Sequence, residues 1–374
     1  MSITVLRPGL LTTIQDRGRC GYRHLGIRPC GVMDPVAARV ANLLVGNKDD
    51  AAVLELTLLG PTLRFEKQAY IALAGADFQA TLDGQPILNN APHWIGVGQT
   101  LELKQAVQGC RSYLAVEHGF NVPSILNSRS TDTRSGWGGF EGRTLQAADV
   151  LALYEGWPGT QRSEAPGSLP GEKSPQDKWS GWPGTQRSGG PGSLPRGTPW
   201  HTTWSVELPY QRHAPVTHAD GSTGASPSQT QIPVIRGSEA DWFTRASWEA
   251  LLKTSYTITP QSDRMGYRLQ GEALALAAPR ELLSAASLRG NIQVPSDGQP
   301  ILLMADHPTT GGYPVIATAA TAAWPILAQA KPGDRLRFVE TTRAAARQML
   351  IEQEQAMRRL ARGIEAFASQ GFVA

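Results

Sequence analysis

Asp306 and His307 close an apolar run and are followed directly by Pro308, Thr309, Thr310, Gly311, Gly312 and Tyr313. A histidine next to a carboxylate can relay protons near neutral pH. A Thr-Thr-Gly-Gly loop can turn hydroxyl and amide donors toward a developing oxyanion. The plainer alternative is a turn in which His307 bonds a neighbouring backbone group. Adjacent side chains on extended backbone point to opposite sides, so Asp306 and His307 need not touch. Upstream, Ser262-Asp263-Arg264-Met265-Gly266-Tyr267-Arg268-Leu269 alternates as a strand does from Met265 onward. That pattern sets Tyr267 and Leu269 on one face and lets Arg264 and Arg268 share the other. Gln293 lies in a glycine- and proline-bounded stretch, Gly290 to Pro300, that leads into the same apolar run.

Two polar segments near the other end of the chain offer groups for an anion. Gln15-Asp16-Arg17-Gly18-Arg19 mixes charge with glycine, so a guanidinium can grip a carboxylate or phosphate in bidentate fashion where the backbone comes close. Asp16 can orient such an arginine or accept a proton; as an ordinary turn, the segment would hold only an Asp–Arg pair. Ser128-Arg129-Ser130-Thr131 places hydroxyls around Arg129, which suits an oxyanion but also any polar loop. Familiar apparatus is lacking: the sequence has no His-Glu-x-x-His, no paired-cysteine metal spacing, no phosphate-binding Gly-x-x-x-x-Gly-Lys, and no Gly-x-Ser-x-Gly.

The elements that must position these residues are mostly short strands. The chain has 374 residues, beyond the size of about 250–300 at which single cores stop growing, so two domains are expected. Gly (39) and Pro (27) are abundant, which favours turns and β structure. The 35 basic and 32 acidic residues leave a net charge of +3, too balanced for nucleic acid or a membrane surface as the main partner. Three cysteines without pairing motif, no secretion signal and no run of about 18 apolar residues point to a cytoplasmic protein.

One helix is fully signalled. Asp34 can cap it, Pro35 sits at its first position, Val36, Val40, Leu43 and Leu44 form its stripe, and Gly46 ends it. Asp83-Gly84 reads as a tight hairpin turn. A second helical pair is expected around Glu239–Phe243 and Ser247–Leu252, capped by Ser238 and Ser247, and an amphipathic helix over Thr342–Phe367 packing on the second domain. The divisions are residues 1–154, a Pro/Gly/Ser-rich linker at 155–231, and residues 232–374. The linker repeats Gly-Trp-Pro-Gly-Thr-Gln-Arg-Ser at 156–163 and 181–188 and is expected to be disordered, though Trp157, Trp182, Trp200 and Trp204 can dock on a surface. The expected class is mainly β with a few helices (α+β).

Several blocks occur in order along nearly the whole chain outside the linker. They are Thr12-Thr13-Ile14-Gln15-Asp16-x-Gly18-Arg19-x-Gly21-Tyr22, Gly31-x-Met33-Asp34, Leu54-Glu55-Leu56-Thr57, Ser128 to Thr131, Asp263 to Leu269, Ile292-Gln293-Val294-Pro295, and Asp306-x-x-Thr309 to Pro314. Together they resemble the family of 5-oxoprolinase C subunits and allophanate hydrolase subunit 2 proteins, also labelled biotin-dependent carboxyltransferases. The sequence departs from that pattern at Glu117-His118 and at Asn127, where glycine is usual.

The resemblance implies two cyclophilin-like β-barrel domains and a kinase-inhibitor-like B subunit as partner, with a further A subunit. The implied reaction is ATP-dependent opening of 5-oxo-L-proline to L-glutamate, with ATP and Mg used at the level of the complex. Biotin would not be attached to this chain, which lacks the Met-Lys dipeptide of carrier domains. The residues read as catalytic candidates are Asp306, His307 and Asp16. Those read as substrate- or anion-binding are Gln15, Arg19, Arg129, Ser130, Arg264, Tyr267, Arg268, Gln293, Thr309, Thr310, Gly311, Gly312 and Tyr313. Two other readings stay open: a carboxyltransferase-type subunit of a biotin-dependent urea-processing enzyme, and a non-catalytic binding partner of a kinase-inhibitor-like protein.

Overall fold

In the computed structural model, residues 2–156, 206–208 and 230–369 are described. The duplicated octapeptides, and with them Trp157, Trp182, Trp200 and Trp204, lie outside these residues. Strands before residue 153 pair only with one another, and so do those after residue 229.

In the first half, hydrogen bonds divide the strands between a six-stranded and a five-stranded sheet. The inward faces of both sheets, Ile3, Val5, Ile14, Leu54, Leu56, Leu63, Phe65, Ile71, Leu101 and Leu114 among them, form one core. Each such side chain, once fully buried, contributes about 1.5–3 kcal/mol. Leu11–Gln15, which runs into the polar segment Gln15–Arg19, is a strand paired with Val53–Thr57. The five-stranded sheet carries helix α1, Pro35–Leu44, on its outer face, packed against strands Ala69–Asp77 and Gln108–Val116. Asp34 caps α1 by accepting from the backbone N–H of Val36 and Ala37 at 3.1 and 2.9 Å. Asp83 and Gly84 both take positive φ, 47° and 82°, between the short strands Thr81–Leu82 and Gln85–Pro86, as the hairpin signal demands.

In the second half, seven strands close a barrel, sealed by a parallel pair between Thr230–Arg236 and Arg335–Glu340. Helix α2, Arg245–Lys253, is capped by Thr244, whose hydroxyl accepts from Ser247 N–H; Ser247 lies inside the helix rather than capping it. Residues Ala240–Trp242 form a single 3-10 turn with no side-chain cap, so Ser238 does not serve as one. Helix α3, Trp324–Gln329, follows a turn and carries Pro325 in its first turn.

The last helix, α4, spans Arg343–Ser369. Its apolar side reaches across to the first half: Met357 and Ile364 are buried in one cluster with Val36, Val40, Leu44 and Tyr113, and Leu360 packs against it. Packing on the second half alone, as the sequence suggested, would leave this stripe facing water. Leu208, on the short described stretch of the linker, is buried in the same cluster. No helix among the described residues is long and apolar enough to cross a membrane.

Candidate functional site at the junction of the two halves

The junction is built around one buried carboxylate. Glu55 stands among Val53, Leu54 and Leu56 in its strand and is 2% exposed, so its charge needs partners. It accepts from the Met33 N–H at 2.7 Å, from the Tyr113 hydroxyl at 2.9 Å, and from Arg264 of the other half. Arg264 in turn holds Asp306 in a bidentate pair, at 2.9 Å through Nε and 2.8 Å through Nη2, and donates to Gly31 O at 2.6 Å. Burial alone would lower this guanidinium's pKa. The carboxylates of Asp306 and Glu55 more than reverse that, raising it well above its ordinary value.

Further bonds cross the junction nearby. Arg111 donates to the Tyr267 hydroxyl at 2.9 Å and to Ala328 O at 2.7 Å, and the Gln329 amide binds Asp34 Oδ2 at 2.8 Å. Tyr267 therefore sits within the weld between the halves, its hydroxyl passing a bond on to Leu327 O.

Beside this saturated network opens a cavity of about 830 Å³. Residues Asp16 to Ala51 wall it from the first half and Leu288 to Glu354 from the second. Its acidic groups are largely spoken for. Asp16 accepts from Gly18 N–H, Ser128 Oγ, Ser130 Oγ and the Arg129 N–H, a local clasp that ties the strand end to the 128–130 loop. Asp49 pairs with Arg17 and Arg39, and Glu354 of α4 pairs with Arg39.

Three lining arginines, Arg19, Arg23 and Arg289, have no carboxylate partner among the described residues. Arg19 is fully buried. It stacks 4.7 Å from the Trp137 ring centroid and donates to Ser130 O, while Nε and Nη1 make no hydrogen bond. Gly138 permits this approach, because its φ is +73° and a Cβ there would meet Arg19 Nη2 at 2.1 Å.

His307 is 2% exposed and lines the cavity. Its Nδ1 lies 2.8 Å from Pro308 O, a carbonyl that also accepts from Ser287 Oγ. A carbonyl can only accept, so Nδ1 carries the proton and the Nε2 lone pair is left free. Burial chiefly, with repulsion from Arg23 and Arg289, lowers the imidazole pKa to about 4. At neutral pH His307 is thus an uncharged ring whose free Nε2 can accept a proton, though burial keeps it a weak base.

The other residues singled out in the sequence are dispersed. Gln15 and Ser130 are buried around the Asp16 clasp. Asn127, standing where glycine is usual, holds φ at 59°, a conformation asparagine tolerates. The Arg129 side chain lies over Tyr154, 5.9 Å from its ring centroid. Arg268 is exposed on the barrel strand while Arg264 is buried ahead of it, so the two do not share a face toward the cavity. Thr309 is half-buried, and Thr310–Gly311 pairs with Ala285–Ala286 in a small outer sheet. Gly311 lies close on Gln293, and Gly312 and Tyr313 face solvent. None of residues 309–313 lines the cavity. The proton-relay reading of an Asp306–His307 pair is also set aside, because Asp306 is committed to Arg264.

Sequence reasoning passed over Glu55, Arg23 and Arg289. A lone glutamate among Val53, Leu54 and Leu56 is a legible sign of a buried ion pair. Arg289 stands one residue ahead of the Gly290 stretch, and Arg23 carries no signal of its own.

Residues 25–340 match the family model described as carboxyltransferase domain, subdomain A and B. The chain is 36% identical to the C subunit of Escherichia coli 5-oxoprolinase, covering 96% of this chain and 97% of that protein. It is 30% identical to the urea amidolyase of Lachancea kluyveri, over 96% of this chain but 18% of that one. The crystal structure of Kluyveromyces lactis urea carboxylase superposes with a TM-score of 0.74 at 28% identity, over 95% of this chain and 29% of that chain. By these matches, the chain belongs to the family of carboxyltransferase domains with subdomains A and B.

Proposed function

We propose that this chain is the C subunit of an ATP-dependent 5-oxoprolinase, opening the lactam of 5-oxo-L-proline to L-glutamate in a cytoplasmic complex with the A and B subunits. The observation that carries this reading is the two-way coverage of the match to the E. coli protein: nearly all of one chain aligns with nearly all of the other. The junction cavity supplies chemistry suited to it. A water oxygen adds to the lactam carbonyl while His307 Nε2 takes its proton. The C–N bond then breaks, and the proton passes to the ring nitrogen that becomes the amine. Arg19, with unspent donors, favours an anion nearby.

ATP with its Mg belongs, in this reading, to the assembly, where it would activate the carbonyl. Among the described residues, no group of three or more His, Cys, Asp or Glu side chains is placed to hold a metal ion. The urea amidolyase match favours a second reading, a carboxyltransferase role on a urea-type substrate, but there the chain corresponds to a minor part of a longer protein.

Mixing the purified chain with the A and B subunits, Mg-ATP and 5-oxo-L-proline tests the proposal. Glutamate should appear only when all three subunits are present. Turnover of urea with a biotin carrier, and none of 5-oxo-L-proline, would favour the second reading. Recovery of a kinase regulator in a pull-down, without turnover of either compound, would favour a binding role.

A further inference from the structure

Arg289 reaches from the second half to the first, donating to Val32 O and Met33 O just ahead of the α1 cap. Trp324 holds it from below, with the guanidinium carbon 4.2 Å from the ring centroid, and Nε is sealed from water with no partner. Gly290, at φ +91°, lets the chain turn over Trp324; a Cβ there would meet Ala319 O at 2.9 Å. Two carbonyls and an aromatic face fix the guanidinium's place without neutralising it. The side chain of Arg23, half-buried in the turn Arg23–Leu25, has no hydrogen-bond or ion-pair partner among the described residues. Both arginines line the cavity, and both lie near enough to His307 to repel a proton from its ring. A cation held in a partly buried wall without a counter-charge is costly, and a bound anion relieves that cost.

We propose that Arg289 and Arg23 form a two-sided clamp for the carboxylate of a compact lactam acid, placing its ring carbonyl against His307 Nε2. This rests on the function proposed above and deepens it by naming the group that is recognised. A clamp reaching from both halves binds only when the junction is closed, so recognition of the carboxylate and assembly of the site are one event. The neutral lactam brings no charge to pair with the two guanidiniums and should bind far more weakly.

The test is steady-state kinetics of the three-subunit complex carrying Arg289→Gln, Arg289→Lys, Arg23→Gln or, as a control away from the cavity, Arg268→Gln. It is paired with calorimetric titration of the full chain with 5-oxo-L-proline, 2-pyrrolidinone and inorganic phosphate. Loss of a charge-assisted contact should raise KM for 5-oxo-L-proline about ten- to a hundredfold in each Gln variant, with kcat changed far less. Arg289→Lys should recover part of this, Arg268→Gln should match the parent, and 2-pyrrolidinone should not compete. Parental KM in both Arg289→Gln and Arg23→Gln, or competition by 2-pyrrolidinone as strong as by the acid, would overturn the clamp. Binding of phosphate without 5-oxo-L-proline would overturn the carboxylate assignment. If no subunit mixture turns over but Arg289→Gln abolishes 5-oxo-L-proline binding to the chain, the proposed function falls while the clamp stands. Should Arg289→Gln fail to fold, Arg23→Gln, in an open turn, still decides the matter.

Discussion

Arg264 and Arg289 sit at the same junction, yet their surroundings drive their pKa values in opposite directions. Around Arg264, Glu55 and Asp306 bring two carboxylates and Gly31 a carbonyl, and the guanidinium is held charged well above its ordinary range. Around Arg289 there are carbonyls and an indole but no paired carboxylate, and burial pulls its pKa down to about 10. Residue type alone does not separate them. Saturation does: both bridge the halves, but the group whose charge is already answered has nothing left to offer, and the group whose charge is not answered remains for a ligand.

That contrast can be broken most forcefully at Arg264. Replacing it by Ala leaves Glu55 and Asp306 buried without their cation, which typically costs about 3–5 kcal/mol. Urea unfolding should show that loss, and a midpoint near that of the parent would place the weld elsewhere.

His307 offers a pH test of slightly smaller size. Its pKa falls from 6.5 in the ordinary state to about 4 in the fold. Between those values the unfolded chain binds a proton that the folded chain does not, so stability falls as pH drops through this window. If the whole shift were expressed, it would amount to about 3 kcal/mol. His307→Gln should flatten the difference in unfolding free energy between pH 7 and pH 4.5; an unchanged slope would mean the ring is not held neutral by burial.

Asp34→Ala removes the α1 cap and should cost roughly 1–2 kcal/mol, read as a lower melting temperature. At the bottom of the scale, Arg268→Ala, on the exposed side of the barrel, should leave stability within about 0.5 kcal/mol.

How far the residues themselves announce this arrangement varies by element. Helix α1 is readable because cap, proline, stripe and terminal glycine agree within one short segment. Strands such as Ala69–Asp77 and Thr230–Arg236 are readable from apolar runs. Leu11–Gln15 is not, since part of what buries its polar residues lies far along the chain, as when Gln15 donates to Thr131 O.

The candidate site shows the same limit. His307 stands out because its neighbours in sequence include hydroxyls and glycines, although those residues form an outer sheet rather than the cavity wall. Arg289 and Arg23 do not, since an arginine's lack of a counter-charge is a property of three-dimensional surroundings. Arg268 and Arg264 look alike in sequence, yet Arg268 lies exposed on the barrel strand and Arg264 is buried just ahead of it.

The most direct test of the junction cavity as the reaction site is kcat of the reconstituted three-subunit enzyme carrying His307→Gln, with the variant's melting temperature measured alongside. A free Nε2 acting as general base implies a fall of about a hundredfold or more at an unchanged melting temperature. Parental kcat in a fully folded His307→Gln enzyme would contradict it and move the chemistry out of this cleft.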